Sequence, residues 1–119
     1  MKKTIVFIIR AVFLTAVFIL FLQACASNNA AGKMDPAVAA ETFLNSGNAF
    51  YNRADYDRAL VDYDQAILLN PNLAEAFNNR GYVYFLMGDM AKAIADFEAA
   101  LKLEPDYTSA RNNLERAKN

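Results

Sequence analysis

Histidine and tryptophan are absent from this 119-residue chain, and cysteine occurs once, at Cys25. Without histidine there is no imidazole general base, no imidazole metal ligand and no side chain that titrates unperturbed near neutral pH. A single thiol closes no internal disulfide, so Cys25 serves some purpose other than stapling a fold. Basic residues are few and unevenly placed. Lys2, Lys3 and Arg10 are the only charges in the first 24 residues, and the remainder holds nine positive against thirteen negative charges, a net of −4. That balance gives no electrostatic footprint for nucleic acid, which is not expected as a partner. Three serines (Ser27, Ser46, Ser109) without a histidine assemble no nucleophile and base, so the chain is not expected to be an enzyme or to carry a cofactor or metal. The acidic set Asp55, Asp57, Asp62 and Asp64 lacks the spacing and glycine of a calcium loop, and reads as first-turn and wet-face carboxylates on a helix.

The apolar residues are also unevenly spread, with four of the nine phenylalanines in the first 21 residues. Lys2, Lys3 and Arg10 precede a twelve-residue apolar run, Ala11 to Leu22, and then Gln23-Ala24-Cys25, the order of a secretion signal. Twelve apolar residues fall short of the roughly 20 that span a bilayer. Counting Arg10 inside the segment makes Thr4 to Ala24 long enough for an uncleaved anchor, at about 2.5 to 3.5 kcal/mol for the buried charge. Leu22-Gln23-Ala24-Cys25 resembles the lipobox of bacterial lipoproteins, with Gln23 where a small or apolar residue is usual. The resemblance implies that residues 1–24 are a lipoprotein signal peptide and that Cys25 is acylated. It also implies a lipid-anchored place in the bacterial cell envelope, with outer-membrane sorting open because Ala26, not Asp, follows. Residues 25–36 are small and polar and read as a tether holding the folded part within roughly 20 Å of the bilayer.

Downstream, residues 40–71 and 74–105 superimpose with a shift of 34, and eleven of 32 aligned pairs are identical. Self-similarity at a fixed period marks a stacked repeat. Ala59, Leu60, Tyr63, Ala66 and Ile67 form one apolar stripe at helical spacing, and Ala93, Ile94, Phe97, Ala100 and Leu101 repeat it. Phe43, Gly47 and Phe50, matched by Phe77, Gly81 and Tyr84, give a second stripe on a preceding helix. Asp55 and Asp89 stand where the second helix of each pair begins, and Pro71 and Pro105 where it ends. Gly88 supplies an easy turn, whereas Ala54 replaces it in the first repeat. Gly47 and Gly81 allow close helix approach. The reading is all-α: two helical hairpins, about 38–71 and 72–105, and a capping helix at about 106–118, with polar Arg111, Glu115, Arg116 and Lys118.

These residues strongly resemble the tetratricopeptide repeat, whose pattern is met in full by Phe77, Gly81, Tyr84, Gly88-Asp89, Ala93, Phe97, Ala100 and Pro105. The resemblance implies an αα-superhelix in which the first helix of each repeat lines a concave groove that holds an extended peptide or helix of a protein partner. Carried over by position, the groove holds Asn45, Asn48, Tyr51 and Asn52, then Asn78, Asn79, Tyr82, Phe85 and Leu86, then Asn112, Asn113 and Arg116. Asn45, Asn79 and Asn113 recur every 34 residues and are expected to align three amides along its floor. The family's clamp for a C-terminal carboxylate is poorly matched: Asn48 and Asn79 fit it, but Leu44 and Ser109 replace lysines and Asn113 an arginine. Arg80 is expected to snorkel along the groove wall. The expected role is a non-catalytic, lipid-anchored adaptor, as in pilus assembly or the recruitment of peptidoglycan enzymes. A self-associating scaffold is the other reading.

Overall fold

The structure, a computed structural model, describes residues 34–119. The signal segment, Cys25 and most of the tether lie outside the described residues. Five helices follow one another: α1 (Pro36–Asn52), α2 (Tyr56–Leu69), α3 (Ala74–Met87), α4 (Met90–Leu103) and α5 (Thr108–Lys118). Among the described residues none is long and apolar enough to cross a membrane. The helix begins at Pro36, the last residue assigned to the tether, and Asp35 caps it. Asp35 accepts from the Ala37 N–H at 2.8 Å, and Pro36 sits in the first turn, where its fixed φ suits a helix and its missing N–H costs nothing.

Both hairpin turns are built alike. After α1, the Asp55 N–H bonds back to Phe50 O at 3.0 Å, and after α3 the Asp89 N–H bonds to Tyr84 O at 2.9 Å. Each aspartate then caps the next helix by accepting from the N–H three residues on, Arg58 at 3.4 Å and Lys92 at 3.2 Å. The side chains of Arg58 and Lys92 return to the same carboxylates at 2.7 and 3.0 Å and lie over the rings of Phe50 and Tyr84. The Lys92 contacts hold the Asp89 carboxyl below its usual range. The turns differ at one residue. Gly88 has φ +85°, and Ala54 adopts φ +58°, a left-handed conformation that its Cβ disfavours. Ala54→Gly should therefore raise stability by about 0.5–1 kcal/mol in urea unfolding, and a lower midpoint would contradict this reading of the turn.

Each hairpin closes over its glycine. A Cβ on Gly47 would come within 2.6 Å of the Tyr63 ring, and one on Gly81 within 2.9 Å of both Phe97 and the Asp96 Cβ. Tyr63 and Phe97 are accordingly among the most fully buried side chains. Leu44, Ala59, Tyr63 and Ala66 share a core with Ala76 and Val83 of α3, which joins the second hairpin to the first. Ala74, Ala100 and Ala110, with Phe77, Leu101 and Tyr107 against them, join α5 to the second hairpin. Pro71 and Pro105 act one residue upstream: Asn70 and Glu104 are extended, at φ −137° and −130°, and end α2 and α4.

Arg80 departs from expectation. Its stem does not run along a groove wall; the guanidinium turns away to grip Asp96 of α4 through two hydrogen bonds (2.8 and 2.7 Å) and Asp64 of α2 through a third (2.7 Å). One side chain thus ties both repeats together, and the bond to Asp96 holds its pKa above the usual guanidinium range. In the first repeat the equivalent of Asp96 is Asp62 and that of Arg80 is Ser46, and the buried Oδ2 of Asp62 has no partner among the described residues.

Candidate functional site

The three first helices α1, α3 and α5 stand side by side and enclose a groove of about 740 Å³. Its lining comes from Asn48, Tyr51 and Asn52 of α1, Tyr63 of α2, Asn78, Asn79 and Tyr82 of α3, and Ser109, Asn112, Asn113 and Arg116 of α5. Nine of the twelve residues expected in the groove are in that set. Phe85 lies beside it, stacked on Tyr82 at 6.0 Å between ring centroids. Asn45 is exposed and outside the lining.

The floor is a relay of amides. Asn113 Nδ2 donates to Asn78 Oδ1 (3.1 Å), Asn78 Nδ2 to Asn79 Oδ1 (3.1 Å), and Asn79 Nδ2 to Asn48 Oδ1 (3.0 Å). The Tyr63 hydroxyl donates to the same Asn48 oxygen at 2.7 Å. The relay therefore crosses from the capping helix to the first helix with its dipoles running one way. Asn48 keeps its Nδ2 donors, and Asn113 keeps its Oδ1 acceptor, without a partner among the described residues. An extended main chain laid across the floor would find a donor at one end and an acceptor at the other.

The 34-residue period does not describe these contacts. Asn79 reaches back 31 residues to Asn48, and Asn113 reaches back 35 to Asn78. The partner of a position across neighbouring first helices is therefore not its repeat equivalent. The position 31 residues before Asn113 is Tyr82, a ring in place of an amide, and Asn113 turns to Asn78 instead. Asn45 has no first helix ahead of it among the described residues.

Aromatic rings form one side of the groove. Tyr51 meets Tyr56 at 6.3 Å and Tyr82 at 6.1 Å, and Tyr82 continues to Phe85. The guanidinium of Arg116 lies over both Tyr82 (5.9 Å) and Phe85 (5.2 Å). Burial, helped by neighbouring Tyr51 and by Glu75 and Asp62, pushes the Tyr63 phenol well above its ordinary pKa, so it stays a neutral donor to the relay. Tyr63 was legible only as a core residue. The signal was its hydroxyl: the matching residue is Phe97, and a buried tyrosine needs a hydrogen-bond partner. Ser109 of the lining stood in the sequence only as a missing clamp lysine.

Two comparisons bear on this geometry. A family model described as tetratricopeptide repeat matches residues 47–118. Among solved structures, the second such domain of human RPAP3, in complex with an HSP70 peptide, is 34% identical, with a TM-score of 0.65 and 67% of each chain covered. The first such domain of Spaghetti (RPAP3), bound to an HSP90 peptide, is 26% identical, with a TM-score of 0.67, 69% of this chain covered and 67% of that one. The Sgt2 domain of Aspergillus fumigatus is 30% identical, with a TM-score of 0.64, 66% of this chain covered and 52% of that one. No curated protein matches the chain.

Proposed function

The chain belongs to the tetratricopeptide repeat family, and we propose that it is a non-catalytic adaptor, anchored by lipid at Cys25 in a bacterial cell envelope, whose groove captures an extended segment of a protein partner. The observation that carries this reading is the amide relay, with a donor left at Asn48 and an acceptor at Asn113 beside a row of aromatic rings. Amides that donate and accept satisfy a peptide backbone without demanding one side chain, and the rings add apolar contact. Similar domains form complexes with an HSP70 and an HSP90 peptide, which supports a peptide as the partner. The C-terminal clamp is not carried over. Leu44 is buried in the core, and Asn113 is held by Asn78, so neither supplies the cation of that mode.

Asn52 and Asn112 are exposed in the lining and make no side-chain bond within the described residues, so they test the groove without disturbing the fold. Asn52→Ala with Asn112→Ala should weaken partner capture from envelopes while leaving thermal unfolding unchanged. Undiminished capture would count against the groove. The anchor is tested by palmitate labelling, which Cys25→Ser should abolish; equal labelling of both forms would remove the lipid from the account.

One observation favours the scaffold as a second reading. Thr42 and Ala49 of α1 are exposed, whereas their equivalents Ala76 and Val83 are buried against the first hairpin. A second copy seated there would extend the stack, and a chain carrying Cys25→Ser that sediments as a monomer at micromolar concentration would rule it out.

A further inference from the structure

Resting on the groove reading, we propose that the captured segment carries a single internal acidic side chain, which docks on Arg116 with apolar side chains before and after it. Residues 34–119 hold thirteen acidic and eight basic side chains, a net of −5. No carboxylate lines the groove, and its one charge is the cation Arg116. A domain that repels anions over most of its surface thus offers one positive point in its concave face.

Arg116 is also prepared for a ligand in a way the other cations are not. Arg58, Arg80, Lys92 and Lys118 each pair with a carboxylate of this chain, Arg111 donates to Pro105 O, and Arg53 and Lys102, also unpaired among the described residues, lie outside the groove. Arg116 makes no hydrogen bond or ion pair among the described residues, and the rings of Tyr82 and Phe85 set its position. A guanidinium stacked on rings keeps its N–H fork in plane, where a carboxylate accepts two bonds side by side.

Apolar surface lies beside this point. Tyr51 and Tyr82 lie toward α1, while Leu86, exposed and in the repeat position of the groove-lining Asn52, follows Phe85 toward the exposed Met87. A chain that carries its acid internally can lay apolar neighbours on these rings, whereas a chain end lacks its clamp cations, since Leu44, Ser109 and Asn113 stand in their places. The net negative field selects one acid over an acidic run.

The probe is a pair of random peptide libraries, each peptide about twelve residues long, enough to cross three helices about 9 Å apart in extended form. One library is amidated at the C-terminus and the other has a free carboxylate; both are selected on the full-length chain. The amidated library should yield binders enriched in one Asp or Glu between apolar residues. Arg116→Gln should weaken such a binder about tenfold or more. Changing the peptide acid to its amide should weaken it as much, with no further loss when both changes are combined. Binders without an acid, or binding indifferent to Arg116→Gln, would overturn this inference and leave the groove standing. Binders from the free-carboxylate library alone would overturn it in favour of a chain end. No binders from either library would overturn the inference and the groove reading together.

Discussion

Arg80→Ala should lower folding stability by about 3–5 kcal/mol, a large part of what a domain this small possesses. The loss comes from what remains behind. Asp96 is 5% exposed, and its two oxygens are bonded to Arg80 at 2.7 and 2.8 Å, so truncation strands a buried carboxylate without its cation. The second partner provides an internal control. Asp64 bonds to the same guanidinium at 2.7 Å, but its side chain is 52% exposed, so Asp64→Ala should cost less than about 1 kcal/mol because water replaces the arginine. Arg80→Met with Asp96→Asn should recover most of the loss, since replacing both members of a buried pair avoids the stranded charge. Urea unfolding of the three forms checks this, and equal losses for Arg80→Ala and Asp64→Ala would refute the assignment of burial as the cause.

Phe97→Ala should cost about 3–5 kcal/mol and lower the melting temperature by at least about 12 °C. The ring is fully buried, and its edge lies where a Cβ on Gly81 would stand. Because Gly81 has no side chain to move into the space, the hole left by the ring stays open and the α3–α4 contact loses its filling. Phe97→Leu keeps most of the volume and should cost about half as much or less. A loss below about 1 kcal/mol for Phe97→Ala would mean that the hairpin does not depend on this glycine–ring contact.

These two residues show what a one-dimensional reading captures. Phe97 and Gly81 were legible because a large residue facing a small one at helical spacing is a local pattern written twice. The ends of the helices were legible for the same reason: Asp55, Asp89, Gly88, Pro71 and Pro105 act on their own turns. Arg80 was not, since its partners Asp64 and Asp96 each lie 16 residues away on two other helices. The groove divides in the same way. Its lining was carried over by position from the repeat family, and the structure places Asn48, Tyr51, Asn79, Tyr82 and Asn113 in one groove. The amides pair across 31 and 35 residues, which a period of 34 conceals. Asn45 therefore stands outside the floor, and Asn48 takes the place expected for it. Tyr63 belongs to two settings at once, its ring in the core and its hydroxyl on the floor, and a stripe of apolar residues records only the first.

Whether the partner lies in the groove is read by a photo-activatable residue placed at Asn112 in the full-length chain within its native envelope, with the same residue at Val61, exposed on α2 and outside the groove, as control. Position 112 should give a discrete crosslinked partner that is lost when Asn52→Ala is added, and position 61 should give none. Equal crosslinking from both positions, or a partner captured only from position 61, would contradict a partner in the groove.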